Sequence, residues 1–186
     1  MKKFTKISKN KKKKGDNVLW TNDWVKVVAF EDWTIIEGSD CVVCVPILMD
    51  ENQVVLRHEY IPTYKKKDGK GYYLSIVAGT IEKGETPEEC LRRELVEEAG
   101  IVLRDNFPIV FEDSLYLSKG CNSKYNICIL PLYRDDFYET YAKGDGSRAE
   151  KLSKSVKVNE YNLENLKGSD VITELMLMKV RKHLNL

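Results

Sequence analysis

The sequence predicts an α/β (α+β) domain, on the basis of three observations. Apolar, strand-like runs fill much of the first half of the chain, a capped helix follows a glycine near its centre, and an amphipathic helix lies near its C-terminal end. Strand runs that alternate with helical segments are typical of α/β folds. The length of 186 residues, with 42% hydrophobic and 32% charged residues, fits one soluble domain with a full core.

The N-terminal residues differ in composition from the rest of the chain. Residues 1–14 contain eight lysines and no acidic residue, whereas the whole chain has a formal net charge of only +1. We expect residues 1–16 to form a basic, disordered tail. The alternative is loose electrostatic contact of this tail with nucleic acid or another polyanion.

Short strands are predicted next. Three candidates are separated by turn residues and lie at residues 18–21, 23–30 and 33–37. This pattern favours a small antiparallel sheet that could form a layer of its own. Two longer strands follow at residues 41–49 and 53–60, and Asp50 and Glu51 between them mark a hairpin turn. Another strand, at residues 71–77, leads directly into the central glycine segment.

The five cysteines do not indicate a metal or disulfide framework. Cys41 and Cys44 form a CxxC pair, but on a strand they point to opposite faces, so no zinc site is expected. An odd number of cysteines without a secretory leader favours reduced thiols in the cytoplasm. The apolar run at residues 41–49 is too short to span a membrane, and Pro46 interrupts it.

The second half of the chain also alternates between strand and helix. Three strands are predicted there, at residues 109–117, 125–133 and 155–160. The polar stretch 134–154 is expected to be irregular and flexible, which would suit a lid. A C-terminal helix begins at Ser169 or Asp170. Its apolar residues form one stripe expected to face the sheet: Ile172, Leu175, Met176, Val180 and Leu184.

The most informative segment is residues 79–101, GTIEKGETPEECLRRELVEEAGI. Thr86 is predicted to cap a helix, with Pro87 at the first helical position and Glu89 completing a capping box. Gly100 is predicted to end it, which gives a helix of roughly 13 residues. The caps therefore define both ends of this helix.

The charges on this helix are unusual. Glu94 and Glu98 lie one turn apart on the same face, with Glu97 beside them, and such like-charge pairs cost about 0.2–0.5 kcal/mol each. Arg93 can reach Glu97, and Glu85 in the preceding loop, but one guanidinium cannot neutralise the whole cluster. Carboxylates beside a glycine loop are what Mg²⁺-assisted phosphate chemistry requires. A solvated acidic helix face is the alternative.

The segment resembles the signature of the Nudix hydrolases at every fixed position: Gly79, Glu85, and the run from Arg93 to Ile101. Members of that family bind Mg²⁺ or Mn²⁺ and hydrolyse a nucleoside diphosphate linked to another moiety. The resemblance implies a mixed sheet sandwiched between helices over residues 39–186, preceded by a β-layer at residues 17–38.

The resemblance also implies roles for individual residues. The metal ligands would be Ala78, through its backbone oxygen, and Glu94, Glu97 and Glu98. Glu97 would also help to activate water, and Arg93 would be a catalytic partner that orients Glu85. Gly79, Glu85 and Gly100 would be structural parts of the motif.

The order of elements is most similar to the ADP-ribose or ADP-sugar pyrophosphatase branch of the family. That branch forms homodimers through its N-terminal sheets and stacks an aromatic residue on adenine. Trp24 and Trp33 are the candidates for this stacking, although core packing is the simpler explanation of each. The resemblance implies hydrolysis of ADP-ribose to AMP and ribose 5-phosphate.

Several positions depart from that branch. The Glu-Leu-Pro-Ala-Gly segment of that branch begins here with Ser75, and its Gln-Tyr-Arg segment corresponds to residues 58–60. In its Ser-Pro-Gly loop the proline is replaced here by Lys119, a basic residue that could bind a phosphate. Arg57 and Lys119 are taken as substrate-binding candidates. Glu150 is the candidate for a late loop carboxylate that acts as a base, with Asp145 and Glu112 as alternatives.

Two other functions stay open at this stage. One is hydrolysis of a nucleoside triphosphate, a dinucleoside polyphosphate or a capped RNA end, which the lysine-rich tail mildly favours. The other is a Nudix module that binds a nucleotide without hydrolysing it. Retention of Arg93, Glu94, Glu97 and Glu98 argues against the second.

Overall fold

The computed structural model describes residues 17–22 and 25–186. In these residues ten strands form one sheet and two form a separate ribbon. The strands are β1 Asn17–Thr21, β2 Val25–Phe30, β3 Trp33–Gly38, β4 Cys41–Leu48, β5 Gln53–Tyr60, β6 Tyr72–Ser75, β7 Val77–Thr80, β8 Ile101–Leu103, β9 Asp113–Ser118, β10 Cys121–Leu132, β11 Phe137–Glu139 and β12 Lys154–Asn159.

Four α-helices accompany these strands within the described residues. They are α1 Pro62–Asp68, α2 Pro87–Glu94, α3 Arg148–Leu152 and α4 Val171–Leu184. A π-helical turn, Leu95–Ala99, continues α2 without a break. Two 3₁₀ turns lie at Met49–Glu51 and Glu160–Asn165.

The large sheet is mixed. Its central path runs β1-β2-β3-β10-β4-β5-β12, with β6 added to β5, β7 to β4 and β9 to β10. Strand β10 runs parallel to β3 and β4, and the other pairs are antiparallel. Strands β8 and β11 form the separate antiparallel ribbon.

Alternation along β4 divides the core between the two faces of the sheet, because successive strand residues point to opposite sides. Val42 and Cys44 pack in one cluster with Leu91 of α2. Val43 and Val45 pack in the other cluster with residues of α4, namely Met176, Leu177 and Val180. The sheet therefore lies between helices, which confirms the predicted fold class.

The three N-terminal strands are present as predicted, and β2 pairs with both β1 and β3. They join the large sheet through β3, where Ile36 pairs with Cys121 and its N–H donates to the Gly120 carbonyl at 2.8 Å. The lysine-rich tail lies outside the described residues. The expectations for residues 1–16 and the division of the domain at residue 38 stay predictions.

Some elements differ from the sequence prediction. The predicted strand 109–117 is confined to β9, Asp113–Ser118, because Ile109 and Phe111 pack against the core from the preceding segment. The stretch 134–154 contains β11 and α3 rather than being wholly irregular. Phe137 in β11 is buried, and the Ser147 side chain caps α3.

All five cysteines are free thiols in the structure. Among the described residues, no helix is both long and apolar enough to cross a lipid bilayer. A cytoplasmic location stays a prediction.

Candidate active site

The motif helix begins and ends where the sequence predicts. Glu89 N–H donates to Thr86 Oγ1 at 3.2 Å, and Thr86 N–H donates to Glu89 Oε2 at 2.7 Å, so the capping box is complete. Gly100 ends the helix with φ of 67°, a left-handed conformation that glycine adopts without strain. The π-helical turn within it was not predicted, and such turns are frequent at functional sites.

Arg93 connects the motif loop to the carboxylates of the helix. Its Nε lies 2.9 Å from Glu85 Oε1, and its Nη1 lies 2.6 Å from Glu94 Oε1 and 3.1 Å from Glu97 Oε2. Both contacts expected from the sequence, with Glu85 and Glu97, are present. The hydrogen bond from Arg93 lowers the pKa of Glu85 below its ordinary value.

A second arginine, Arg57, forms ion pairs with two more carboxylates. Arg57 of β5 is only 2% exposed. Its Nη2 lies 2.8 and 2.9 Å from the two Glu150 carboxylate oxygens and 3.3 Å from Glu98 Oε1. Glu98 Oε2 also accepts a hydrogen bond from Ala78 N–H at 2.9 Å. The substrate-binding role predicted for Arg57 stays a prediction, and in the structure its ion pairs are with Glu98 and Glu150.

Helix α3 carries Glu150 to this position. The Ser147 side chain accepts a hydrogen bond from Glu150 N–H at 3.1 Å and so fixes the start of the helix. Gly144 N–H donates to the Glu97 carbonyl at 2.9 Å, which ties the preceding loop to the motif helix. The predicted loop carboxylate thus lies beside the motif carboxylates.

These side chains surround one open cavity of about 810 Å³. Half of its lining residues are acidic, and the full set is Ser39, Glu59, Ala78, Gly79, Thr80, Ile81, Glu82, Lys83, Arg93, Glu94, Glu97, Glu98, Asp145 and Glu150. A cavity with this much negative charge favours cations over free anions. An anionic substrate would need counter-charge to enter it.

Burial changes the acidity of two of these carboxyl groups. Loss of hydration raises the pKa of Glu94 to about 7, despite the hydrogen bond from Arg93. Burial also raises the pKa of Glu98 well above its ordinary value, and Arg57 opposes that shift. Desolvation raises the pKa of Glu59 on β5 as well. The nearby arginines and hydrogen bonds therefore do not fully offset the cost of burying the ionised forms of these three carboxyl groups.

The donor set fits a divalent cation in its chemistry. Carboxylate and backbone oxygens are the ligands that Mg²⁺ and Mn²⁺ prefer, and a cation would relieve the cost of ionising Glu94 and Glu98. In the part of the chain that the structure describes, however, no three His, Cys, Asp or Glu side chains are already arranged to hold a metal. Arg93 and Arg57 form ion pairs with these carboxylates.

The absence of a side chain at Gly79 leaves room for the side chain of Glu94. A Cβ atom on Gly79 would overlap the carboxylate and Cγ of Glu94. Residue 79 lies on β7, where it pairs with Val42 of the central strand, so the backbone cannot easily move away. Glycine therefore permits the close approach of the helix side chain here, and its structural role in the motif stays a prediction.

Other predicted site residues lie elsewhere. Trp33 begins β3 and is 58% exposed. Lys119, in the turn between β9 and β10, lines a separate cavity with Ile35 and Tyr116. Glu112 pairs with Lys179 at 3.1 Å, away from the carboxylates. Their substrate roles stay predictions, and Trp24 lies outside the described residues.

Sequence reasoning did not predict several residues that line the cavity, among them the charged Glu59 and Lys83. Lys83 lies within the recognised motif, at one of its variable positions. Glu59 was noted only as a departure from the related branch. The signal that could have found it is alternation along β5, which places Glu59 on the same face as Arg57.

We expect Arg57→Met to destabilise the protein by about 3–5 kcal/mol, because it leaves the buried Glu98 carboxylate and the partly buried Glu150 carboxylate without their shared counter-ion. Urea unfolding of the metal-free protein would measure this. Arg134→Met is the matched control, since Arg134 is exposed and its ion pair with Glu51 should contribute no more than about 1 kcal/mol. Equal destabilisation by the two variants would contradict this account of Arg57.

Comparison with known proteins agrees with this geometry. The family model of the NUDIX domain matches residues 39–169. The match covers well over half of the chain and includes the motif helix, Arg57 and Glu150. The chain belongs to the Nudix family.

The most similar curated relatives include proteins of Escherichia coli K12 and Shigella flexneri, both named ADP-ribose pyrophosphatase. Each is 34% identical over 77 residues, which is 41% of this chain but only 36% of the relative. The match thus spans little more than a third of the length of these relatives. Their name is that of the branch predicted from the sequence.

A solved structure described as an ADP compounds hydrolase covers nearly the whole fold. It aligns with a TM-score of 0.65 over 96% of this chain and 97% of its own length, at 21% sequence identity. At this identity the likeness establishes the fold alone. It confirms the predicted Nudix architecture, including the N-terminal strands.

Proposed function

We propose that the protein is a metal-dependent pyrophosphohydrolase that cleaves ADP-ribose, or a related nucleoside diphosphate sugar, into AMP and a sugar phosphate. The observation that carries this proposal is the meeting of Glu94, Glu97, Glu98 and Glu150 at one open cavity. Two arginines, from β5 and from the motif helix, hold these carboxylates in place. The names of the curated relatives support the choice of substrate class.

The proposed cofactor is Mg²⁺ or Mn²⁺, held by Glu94, Glu97, Glu98 and the backbone oxygen of Ala78. When bound, such a cation offsets the charge of the pyrophosphate and makes a water molecule more acidic. The motif helix supplies the rigidity of the ligand set, because its caps and the hydrogen bond from Ala78 to Glu98 restrict movement.

Glu150 is the proposed base for the attacking water. It lies on a short helix rather than on the motif helix, and Arg57 holds both of its oxygens. In this arrangement Glu150 is oriented towards the cavity that it lines, and it shares Arg57 with Glu98. A carboxylate within reach of the water could accept its proton, with Glu97 as the second candidate.

The oligomeric state is also part of the proposal. Strands β1 to β3 expose several large apolar side chains, namely Val18, Leu19, Trp20, Phe30, Trp33 and Ile36. Exposed apolar patches of this kind are typical of protein interfaces. They support the homodimer that the sequence resemblance implied.

The direct test is a set of nucleotides incubated with Mg²⁺, with the products identified by chromatography. The set contains ADP-ribose, ADP-glucose, ATP, a diadenosine polyphosphate and a capped RNA oligonucleotide. We expect ADP-ribose or the ADP-sugar to be the best substrate, with AMP as a product. Preferred cleavage of the triphosphate or the capped RNA would support the alternative hydrolase, and binding without cleavage of any would support a non-catalytic module.

We expect Mg²⁺ to raise the melting temperature more at about pH 8 than at about pH 6. Glu94 has an ordinary pKa of 4.5 that rises to about 7 in the folded protein. Between these pH values Glu94 is protonated in the metal-free folded protein but ionised in the unfolded chain. The stability of the metal-free protein therefore falls as the pH rises from 4.5 through 7. A divalent cation competes with that proton, so its stabilising effect grows over the same range.

Thermal melting with Mg²⁺ and with a chelator, at both pH values, measures this effect. Glu98→Gln provides the control, because it removes one of the proposed ligands. An increase that is equal at the two pH values, or unchanged in Glu98→Gln, would contradict the proposed metal site.

A further inference from the structure

Glu59 lines the candidate active-site cavity. Unlike the carboxylates of the proposed metal site and the proposed base, it forms an ion pair with neither Arg57 nor Arg93. It follows Arg57 by two residues on β5, so both side chains point to the same face of the sheet. On the neighbouring strand β6, Ser75 lies opposite Arg57, and Tyr73 lies opposite Glu59. Glu59 therefore lines the cavity from the sheet.

The hydrogen bonding of Glu59 is incomplete. Within the described residues, no arginine, lysine or histidine forms an ion pair with it, whereas Arg57 is occupied by Glu98 and Glu150. The nearly buried Ser75 lowers the pKa of Glu59, which opposes the larger effect of burial. An ionised carboxylate has about four acceptor positions and no donor. Because Glu59 lines the cavity, its carboxylate oxygens can accept hydrogen bonds from a bound substrate.

This chemistry restricts the group that Glu59 can contact. A phosphate has only acceptor oxygens and negative charge, so it would be repelled. A neutral group with N–H or O–H donors would be bound, since hydrogen bonds to a charged acceptor are about twice as strong as neutral ones. Glu59 is not among the residues proposed to hold the divalent cation, so it is left to contact the substrate, where it favours an uncharged, donor-rich part.

Position narrows this choice to a sugar. Glu59 lines the same cavity as Glu150, the proposed base, and as the motif carboxylates Glu94 and Glu98. In a nucleoside diphosphate sugar, the group attached directly to the reacting pyrophosphate is a ribose or another sugar, and the base lies further away. The vicinal hydroxyls of that sugar are the first neutral donors that the cavity would meet beyond the phosphates.

We propose that Glu59 binds the vicinal hydroxyl pair of a sugar adjoining the cleaved pyrophosphate and thereby sets a preference for ribosyl over deoxyribosyl substrates. This inference rests on the proposed function and specifies its substrate. Both riboses of ADP-ribose carry a vicinal hydroxyl pair. Analogues that lack one hydroxyl on one or the other ribose show which of the two Glu59 binds.

The test is steady-state hydrolysis of three substrates: ADP-ribose, its analogue with a 2-deoxy terminal ribose, and its analogue with a 2′-deoxyadenosine. We expect the parent protein to discriminate against one analogue by at least about tenfold in kcat/KM. We expect Glu59→Ala to reduce this discrimination to within about threefold, mainly through a higher KM for ADP-ribose, because ground-state binding is lost. Glu59→Gln keeps the shape of the side chain and should show a smaller loss.

The matched control is Glu82→Gln, which changes another carboxylate that lines the same cavity beside Lys83. It should affect the three substrates equally. If the parent protein hydrolyses ADP-ribose but Glu59→Ala and Glu59→Gln keep its preference among the substrates, the inference is wrong and the proposed function stands. If the parent protein hydrolyses none of the three, the proposed function fails and the inference fails with it.

Discussion

Glu98→Gln is expected to lower kcat for ADP-ribose hydrolysis at least about a hundredfold while the protein stays folded. The neutral amide has the shape of the glutamate but cannot supply the charge that a divalent cation needs. The fold should persist because burial already disfavours the charged form of Glu98, and the amide oxygen can still accept the hydrogen bond from Ala78 N–H.

Initial rates with saturating Mg²⁺ and a thermal melt of the metal-free variant measure the two parts of this prediction. Glu88→Gln is the control, because Glu88 lies on the same helix but pairs with Arg92 at the surface. Its kcat should equal that of the parent. Turnover by Glu98→Gln above a hundredth of the parent rate would exclude Glu98 as an essential ligand.

Gly79→Ala is expected to lower kcat by about a hundredfold, although it adds only one methyl group. The new Cβ would occupy the position of the Glu94 side chain, which must then leave its place beside Arg93. Displacement of a catalytic group by about 1 Å can cost that much activity. The pairing of residue 79 with Val42 prevents the backbone from absorbing the change.

Gly120→Ala is the matched control, because a Cβ there meets no atom within 4 Å and the backbone is not left-handed. It should retain parent activity. A Gly79→Ala protein with parent-like kcat and parent-like Mn²⁺ affinity would show that the close approach of Gly79 to Glu94 is not needed.

Local features of the site were predictable from the sequence. Thr86, Glu89 and Gly100 define the ends of the motif helix through contacts between near neighbours in the chain. The reach of Arg93 to Glu97 follows from helix geometry alone. The fold class followed in the same way from strand and helix periodicity.

The remaining features depend on contacts between distant segments. Arg57 and Glu150 are 93 positions apart in the sequence, and the fold brings them together when α3 packs against β5. No pattern in the sequence near either residue could therefore have predicted their ion pair. The role of Glu59 likewise depends on the pairing of β5 with β6, and the separation of Lys119 from the carboxylates depends on where the β9–β10 turn lies.

The proposed function depends on the binding of a divalent cation by Glu94, Glu97 and Glu98. Mn²⁺ titration followed by electron paramagnetic resonance tests it most directly, with the parent protein compared with Glu98→Gln and the surface variant Glu88→Gln. We predict saturable Mn²⁺ binding by the parent protein and by Glu88→Gln, and at least about tenfold weaker binding by Glu98→Gln. Equal Mn²⁺ affinity in all three proteins would contradict the claim.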